Sequence, residues 1–117
     1  MKKTDHERLQ KIITTWSKVK AQIHEKKLSK EQLLTDEYVQ WAMTTPLYNI
    51  GEQVYQLSDE IKKAHPEIPW RMVSGLRHRL VHDYDGVNWE IIADVVFDEM
   101  DLFARQIQEL AEGSEMN

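Results

Sequence analysis

Only four glycines and three prolines interrupt 117 residues, so the chain has few places to turn and must build most of its structure from long uninterrupted segments. Those segments carry helical periodicity. Thr4-x-x-Glu7 has the pattern of a capping box, and Leu9, Ile12, Ile13, Trp16, Val19 and Ile23 follow on one helical stripe, predicting a first helix that ends near Lys27. Ser29-x-x-Gln32 can cap a short helical piece. Thr35, followed by Asp36 and Glu37, is the expected start of a long second helix with Val39, Met43, Leu47, Ile50, Val54 and Leu57 on its inner face.

Pro46 falls inside that second stripe and brings no amide proton, predicting a kink or a break around Ala42 to Thr45. Ser58 to Ala64 reads as a short turn of helix. His65-Pro66-Glu67-Ile68-Pro69 is an extended connection, with Pro69 as the first residue of a helix reaching about Val81. A loop is expected over Asp83 to Val87, with Gly86 in an unusual backbone conformation and Asn88 capping the last helix. Ile92, Val95, Phe97, Leu102, Phe103, Ile107 and Leu110 form that helix's apolar side, and Gly113 begins a polar tail over residues 113–117. With no credible strand, the expectation is an all-α fold: one domain over residues 1–117, an antiparallel bundle of about four or five helices with a kinked second helix.

Fifteen lysines and arginines against twenty acidic residues give a formal net charge of -5, which argues against a general nucleic-acid coat protein but leaves room for a small basic site. There is no cysteine for disulfides or a thiolate metal cluster. Neither a signal-like apolar region nor a membrane-spanning run is present, so the expected setting is cytoplasmic, without a membrane.

Against this acidic background, Arg77-His78-Arg79-Leu80-Val81-His82-Asp83-Tyr84 concentrates two guanidiniums, two imidazoles and a phenol at the end of a helix. An imidazole can move a proton near neutrality, and a guanidinium can hold phosphate oxygens as charge develops on them. On a continuous helix Arg77 and His82 would stand about 140° apart. A shared site therefore needs the helix to end before His82, or a second subunit to complete the pocket. His78 and His82 are spaced to share a metal across one turn, although a third ligand is not evident. Glu52 and Asp59 read as solvated helical residues, with Glu52 able to reach a cleft from the second helix. Arg71 reads as a surface residue of the first turn or an accessory contact, and Trp16, Trp41, Trp70 and Trp89 read as packing anchors rather than base-stacking platforms.

Ile68-Pro69-Trp70-Arg71, Gly75-Leu76-Arg77, Arg79-Leu80-Val81-His82-Asp83-Tyr84 and Gly86-Val87, with Ile50-Gly51-Glu52 less specifically, resemble the HepT family of HEPN-fold ribonuclease toxins. The family's spaced arginine, histidine and tyrosine fall on Arg77, His82 and Tyr84. The resemblance implies a homodimer whose composite cleft cleaves RNA without metal, with Arg77 at the scissile phosphate and His82 in proton transfer. No cofactor is implied for cleavage itself. It also implies a minimal nucleotidyltransferase antitoxin, as in a type VII-like toxin–antitoxin pair, which would use ATP to place AMP on Tyr84. His78, Arg79, Arg71 and Glu52 are accessory or RNA-binding candidates. The chain departs from the family pattern at His78, where asparagine is common, and at Asp85, where an aromatic residue is common. A noncatalytic helical module that binds, or is modified by, a nucleotidyltransferase is the alternative, and a purely structural oligomer stands third.

Overall fold

A computed structural model describes residues 1–81 and 86–115. Four long helical rods and two short helices make up the described chain: α1 (Lys3–Glu25), α2 (Lys30–Thr35), α3 (Glu37–Gln56), α4 (Asp59–Ala64), α5 (Trp70–Val81), and a last rod in which α6 (Trp89–Asp94) runs through a π-helical segment (Val95–Glu99) into α7 (Met100–Glu115). No strand occurs among the described residues, and no helix among them is long and apolar enough to cross a membrane. The all-α bundle expected from the periodicity is what forms.

Helix ends follow local chemistry closely. α1 stops where Lys27 takes a left-handed φ of 52°; Leu28 N–H then reaches the Ile23 carbonyl at 2.9 Å and Lys27 N–H the His24 carbonyl at 3.2 Å, the paired bonds of a Schellman closure. Ser29 and Gln32 form the expected reciprocal cap of α2. The box expected at Thr4 and Glu7 does not form: α1 already begins at Lys3, with Lys2 at its cap and no side-chain bond there. Thr35 likewise ends α2, its hydroxyl donating to the Glu31 carbonyl at 2.9 Å, and the cap of α3 is Asp36, whose carboxylate accepts from Tyr38 and Val39 N–H. A carboxylate is the better acceptor at a helix start, where the free amides and the positive end of the dipole coincide.

Pro46 does not interrupt α3. The carbonyl it leaves unpaired, four residues back, belongs to exposed Ala42, where water can replace the missing amide. Asn88 caps α6 by accepting from Ile91 N–H, and Gly86 has φ +125°, both as expected. The expected loop over Asp83 to Val87 lies in part outside the described residues. At the C-terminus the helix continues through Gly113 to Glu115, beyond the point where the tail was expected to begin.

α3 lies at the centre, packed on α5 and on α1, while α1 packs on α7 and α2 on α6. Leu9, Ile12, Leu47, Ile50, Val54, Val73, Leu76, Ile92, Met100, Phe103 and Ile107 are fully buried between them, and this apolar burial is the main force holding the rods together. Leu102, expected inside, is 55% exposed. The π segment is the reason: its wider turn, with Met100 N–H bonding back to Val95, moves the inward register on by one residue, so that Val96, Met100, Phe103, Ile107 and Ala111 face the core. Lys30 of α2 bridges Asp94 at 2.6 Å and Asp98 at 2.7 Å on this stretch, which raises the pKa of its ammonium.

Asp5 is the one buried charged residue among those described, 3% exposed. Its carboxylate accepts from Ser58 N–H at 2.9 Å and from the Ser58 hydroxyl at 2.5 Å, while Ser58 Oγ accepts from Ile61 N–H to start α4. One carboxylate thereby pins the first turn of α1 to the α3–α4 corner. Replacing Asp5 by alanine strands those donors, and the expected loss is about 2–3 kcal/mol of unfolding free energy, measurable by urea denaturation; a loss below about 0.5 kcal/mol would show that the corner holds without it.

Candidate functional site

The site begins with a close approach of backbones. A Cβ on Gly51 would stand 2.7 Å from the Arg77 nitrogen and 3.2 Å from the Arg77 Cβ, so α5 can lie against α3 at this level only because residue 51 has no side chain. Next to that contact Glu52 projects from α3 toward Arg77 of α5. Arg77 Nε donates to Glu52 Oε2 at 2.6 Å, with both side chains a little over one quarter exposed. Glu52 Oε1 accepts from Gln56 Nε2 at 3.0 Å. The Arg77 guanidinium carbon lies 4.1 Å from the centroid of the Tyr55 ring, within cation–π range.

Two residues of one helix thus fix the guanidinium, and a third, Gln56, holds the Glu52 carboxylate. Tyr55 supports the guanidinium face, Glu52 takes the Nε–H, and neither terminal amino group meets an acceptor among the described residues. That outer edge retains paired N–H donors, the geometry that binds two oxygens of a phosphate. The Gln56 hydrogen bond, and after it that of Arg77, hold the Glu52 carboxyl below the ordinary carboxylate range. Glu52 in turn raises the pKa of Arg77. The pair is therefore fully charged at neutral pH.

The remaining candidates divide. Arg71 and His78 are exposed and, seven residues apart on α5, lie within about 20° of one face. Arg79 is half-buried and, two residues beyond Arg77, is turned about 200° from it, so it belongs to the opposite flank. Glu52 is brought to Arg77; it is not the freely solvated residue that was the more common reading of its type. His82, Tyr84 and Asp85 lie outside the described residues. Among those described, no group of three or more histidines and carboxylates is arranged to hold a metal ion.

Tyr55, Gln56 and the backbone role of Gly51 were not singled out from the sequence. The available signal was spacing: Glu52, Tyr55 and Gln56 follow at three and four residues, which stacks them on one side of a helix. Trp41 departs from its expected role, being 61% exposed, whereas Trp16 and Trp70 are buried packing anchors and Trp89 is half-buried against the core.

With this arrangement established, comparison with known proteins gives the class. The family model described as Ribonuclease HepT-like matches residues 4–110, and the chain belongs to that family. It is 33% identical over 85 residues to "Putative RNase TTE0752" of Caldanaerobacter subterraneus subsp. tengcongensis, covering 73% of this chain and 76% of that protein. It is 34% identical over 80 residues to "Putative RNase MJ0127" of Methanocaldococcus jannaschii, covering 68% and 66%. Against "Probable ribonuclease HepT" of Thermococcus cleftensis it is 34% identical over 70 residues, covering 60% and 64%. No solved structure matches the chain.

Two outcomes check the site. Gly51→Ala should force α3 and α5 apart, with a loss of about 1–3 kcal/mol in stability, the usual scale for an overpacked contact; an unchanged denaturation midpoint would mean that the helices give way freely. The stability difference between the native chain and Glu52→Gln should be constant from pH 8 to pH 5. It should then shrink as pH falls below the ordinary carboxylate range, about 4.3, because a depressed folded-state pKa stabilises only while the carboxyl is ionised.

Proposed function

We propose that this chain is a metal-independent endoribonuclease toxin, with Arg77 and His82 as its catalytic residues. What most supports the reading is family membership together with the state of Arg77, a fully charged guanidinium held by Glu52 and the Tyr55 ring, whose terminal amino groups meet no acceptor among the described residues. In this mechanism Arg77 binds the non-bridging oxygens of the scissile phosphate. His82 accepts the proton of the ribose 2′-hydroxyl as that oxygen attacks phosphorus. The bond to the 5′-oxygen breaks, and the leaving oxygen takes a proton from a second, protonated imidazole. The products are a 2′,3′-cyclic phosphate and a 5′-hydroxyl. DNA has no 2′-hydroxyl and is not a substrate.

Two imidazoles in opposite protonation states are needed for that sequence, and a homodimer with a composite cleft supplies them from two copies of His82. His78, Arg79 and Arg71 serve as accessory RNA contacts, and Glu52 positions Arg77. Regulation on this reading is a type VII-like pairing: a minimal nucleotidyltransferase antitoxin transfers AMP from ATP to Tyr84. Phosphates added two residues from His82 repel an RNA backbone and occupy its place.

One observation favours a second reading, a noncatalytic module that binds a nucleotidyltransferase. Arg77 already has a carboxylate partner, and an arginine so neutralised can serve structure alone. Cleavage of a mixed cellular RNA pool by purified, unadenylylated protein in excess chelator separates the two. The ribonuclease reading expects cyclic-phosphate ends from the native chain, a loss of at least about 100-fold for His82→Ala and for Arg77→Ala, and no cleavage of matched DNA. Folded protein that leaves RNA intact, yet gains adenylyl groups at Tyr84 when given the nucleotidyltransferase and ATP, establishes the module instead.

A further inference from the structure

Charge is divided unevenly along this chain. Residues 1–30 hold nine of the fifteen lysines and arginines but three of the twenty acidic residues, and one of those three, Asp5, is buried against Ser58. A chain of net charge -5 thus has a basic first helix. The apolar side of α1, with Leu9, Ile12, Trp16 and Val19, is buried. On another side Arg8, Lys11, Thr15 and Lys18 recur at steps of three and four residues, within about 80° of one another. None of those three cations pairs with a carboxylate among the described residues.

This basic side borders a groove of about 500 Å³ between α1 and α3, lined by Gln10, Lys11, Thr14, Thr15, Asn49 and Gln53. Every lining side chain can form hydrogen bonds and none is a carboxylate, Glu7 standing one turn before the groove. The groove is tied to the Arg77 site through α3. Arg8 Nη1 donates to Gln53 Oε1 at 3.0 Å, and Gln53 directly follows Glu52, the partner of Arg77. After Gln56 and Arg77, Arg8 also helps to hold the Glu52 carboxyl low, so its charge is felt at that pair.

We infer that the groove between α1 and α3 is a substrate subsite for single-stranded RNA next to the scissile phosphate, with Arg8, Lys11 and Lys18 on backbone phosphates and Thr14, Asn49 and Gln53 on the edges of a base. The chemistry of the lining selects this ligand. Lys11 and Lys18 stand two turns apart, roughly 10 Å along α1, so they address different phosphates. Amides and hydroxyls offer donors and acceptors side by side, the pattern that base edges present, and those edges are open only where the strand is unpaired. A lipid surface would need apolar side chains toward solvent, whereas those of α1 lie in the core.

The inference rests on the ribonuclease reading for the nature of the ligand, while the groove is argued from α1 and α3 themselves. Its contacts lie away from the bonds that change. Arg8, Lys11 and Lys18 raise affinity for a strand, and Thr14, Asn49 and Gln53 set which base lies beside the cut. A dinucleotide, which contains only the scissile phosphate, bypasses the groove.

Lys11→Gln/Lys18→Gln and Thr14→Ala/Asn49→Ala change exposed residues only, so folding should survive, which circular dichroism and sedimentation check. Lys63→Gln, at an exposed lysine of α4 outside the groove, is the charge control. Binding of a labelled 2′-O-methyl oligoribonucleotide, which has no attacking hydroxyl, is titrated over a range of salt, and cleavage of the matching RNA and of a dinucleotide is followed. The lysine variant should bind at least about 10-fold more weakly, with a log–log salt slope smaller by about 1.4, the value for two phosphates of a single strand. It should cut the dinucleotide as the native chain does, and Lys63→Gln should match the native chain throughout. Thr14→Ala/Asn49→Ala should keep the salt slope and change the preferred cut site; an unchanged preference overturns the base contacts. RNA bound equally by the native chain and the lysine variant overturns the inference while leaving the ribonuclease reading intact. A native chain that binds no RNA overturns both. Binding that depends on the groove, without cleavage of either substrate, overturns the ribonuclease reading alone. Unchanged RNA binding with lost binding of a nucleotidyltransferase overturns the inference in favour of a protein partner.

Discussion

The contact of Gly51 with the backbone of Arg77 sets the relation between the two helices that matter most. A side chain at residue 51 would occupy space that the Arg77 amide already fills, so the absence of a Cβ fixes both how near α5 lies to α3 and which residues stand level. Once that level is fixed, Arg77 cannot extend into the core and turns across the surface of α3, where Glu52, Tyr55 and Gln56 occupy successive positions. The ion pair is thus a consequence of packing rather than its cause. At roughly one-quarter exposure it adds little cohesion compared with Ile50, Val54, Val73 and Leu76 around it, which are fully buried.

α3 carries a heavier load than its apolar content suggests, because α1 and α5 both pack against it. A proline in such a helix would be damaging if the freed carbonyl were buried. Here it belongs to exposed Ala42, and the hydroxyl of Thr44 bonds to the Gln40 carbonyl at 2.7 Å on the preceding turn. The helix stays continuous from Glu37 to Gln56 with Pro46 inside it. That continuity lets one helix present a core face and, on another side, the residues that hold Arg77.

Much of this architecture was legible because it depends on local chemistry. Ser29 with Gln32, Asn88, Gly86 and the span of α5 from Trp70 to Val81 are set by a few neighbouring residues, and they appear where those residues predict. What stayed hidden depends on distant partners. The π segment at Val95–Glu99 is a register adjustment between α6 and α7, with Lys30 of α2 bridging Asp94 just before it and Asp98 within it, and nothing in its own sequence marks it. Leu102 was misplaced for the same reason. Asp5 looks like an ordinary first-turn acid, and only Ser58, fifty-three residues on, shows why it is buried. At the site, Arg77 and Glu52 were both named, but their pairing was not, since a glycine's value as a place of close approach is visible only when the second helix is present. Trp41 was read inward because tryptophan usually is; the alternate spacing with Tyr38, Tyr48 and Tyr55 carried the contrary signal.

On the proposed reading, the carboxylate beside Arg77 has a definite electrostatic effect. An unpaired arginine would bind any polyanion, and its strength would be spent equally on substrate and transition state. Glu52 cancels part of that attraction at a distance, where the two charges act as a dipole, and leaves the short-range hydrogen bonds of the outer guanidinium edge intact. Attack by the 2′-oxygen concentrates negative charge on the non-bridging oxygens, the atoms those bonds address. Orientation by Tyr55 and Glu52 means that the guanidinium need not reorganise as that charge appears. An acidic protein of net charge -5 thereby combines weak general affinity for nucleic acid with a local preference for the charge distribution of the reacting phosphate. Such a balance suits an enzyme that acts on few phosphates at a time better than a protein that coats RNA.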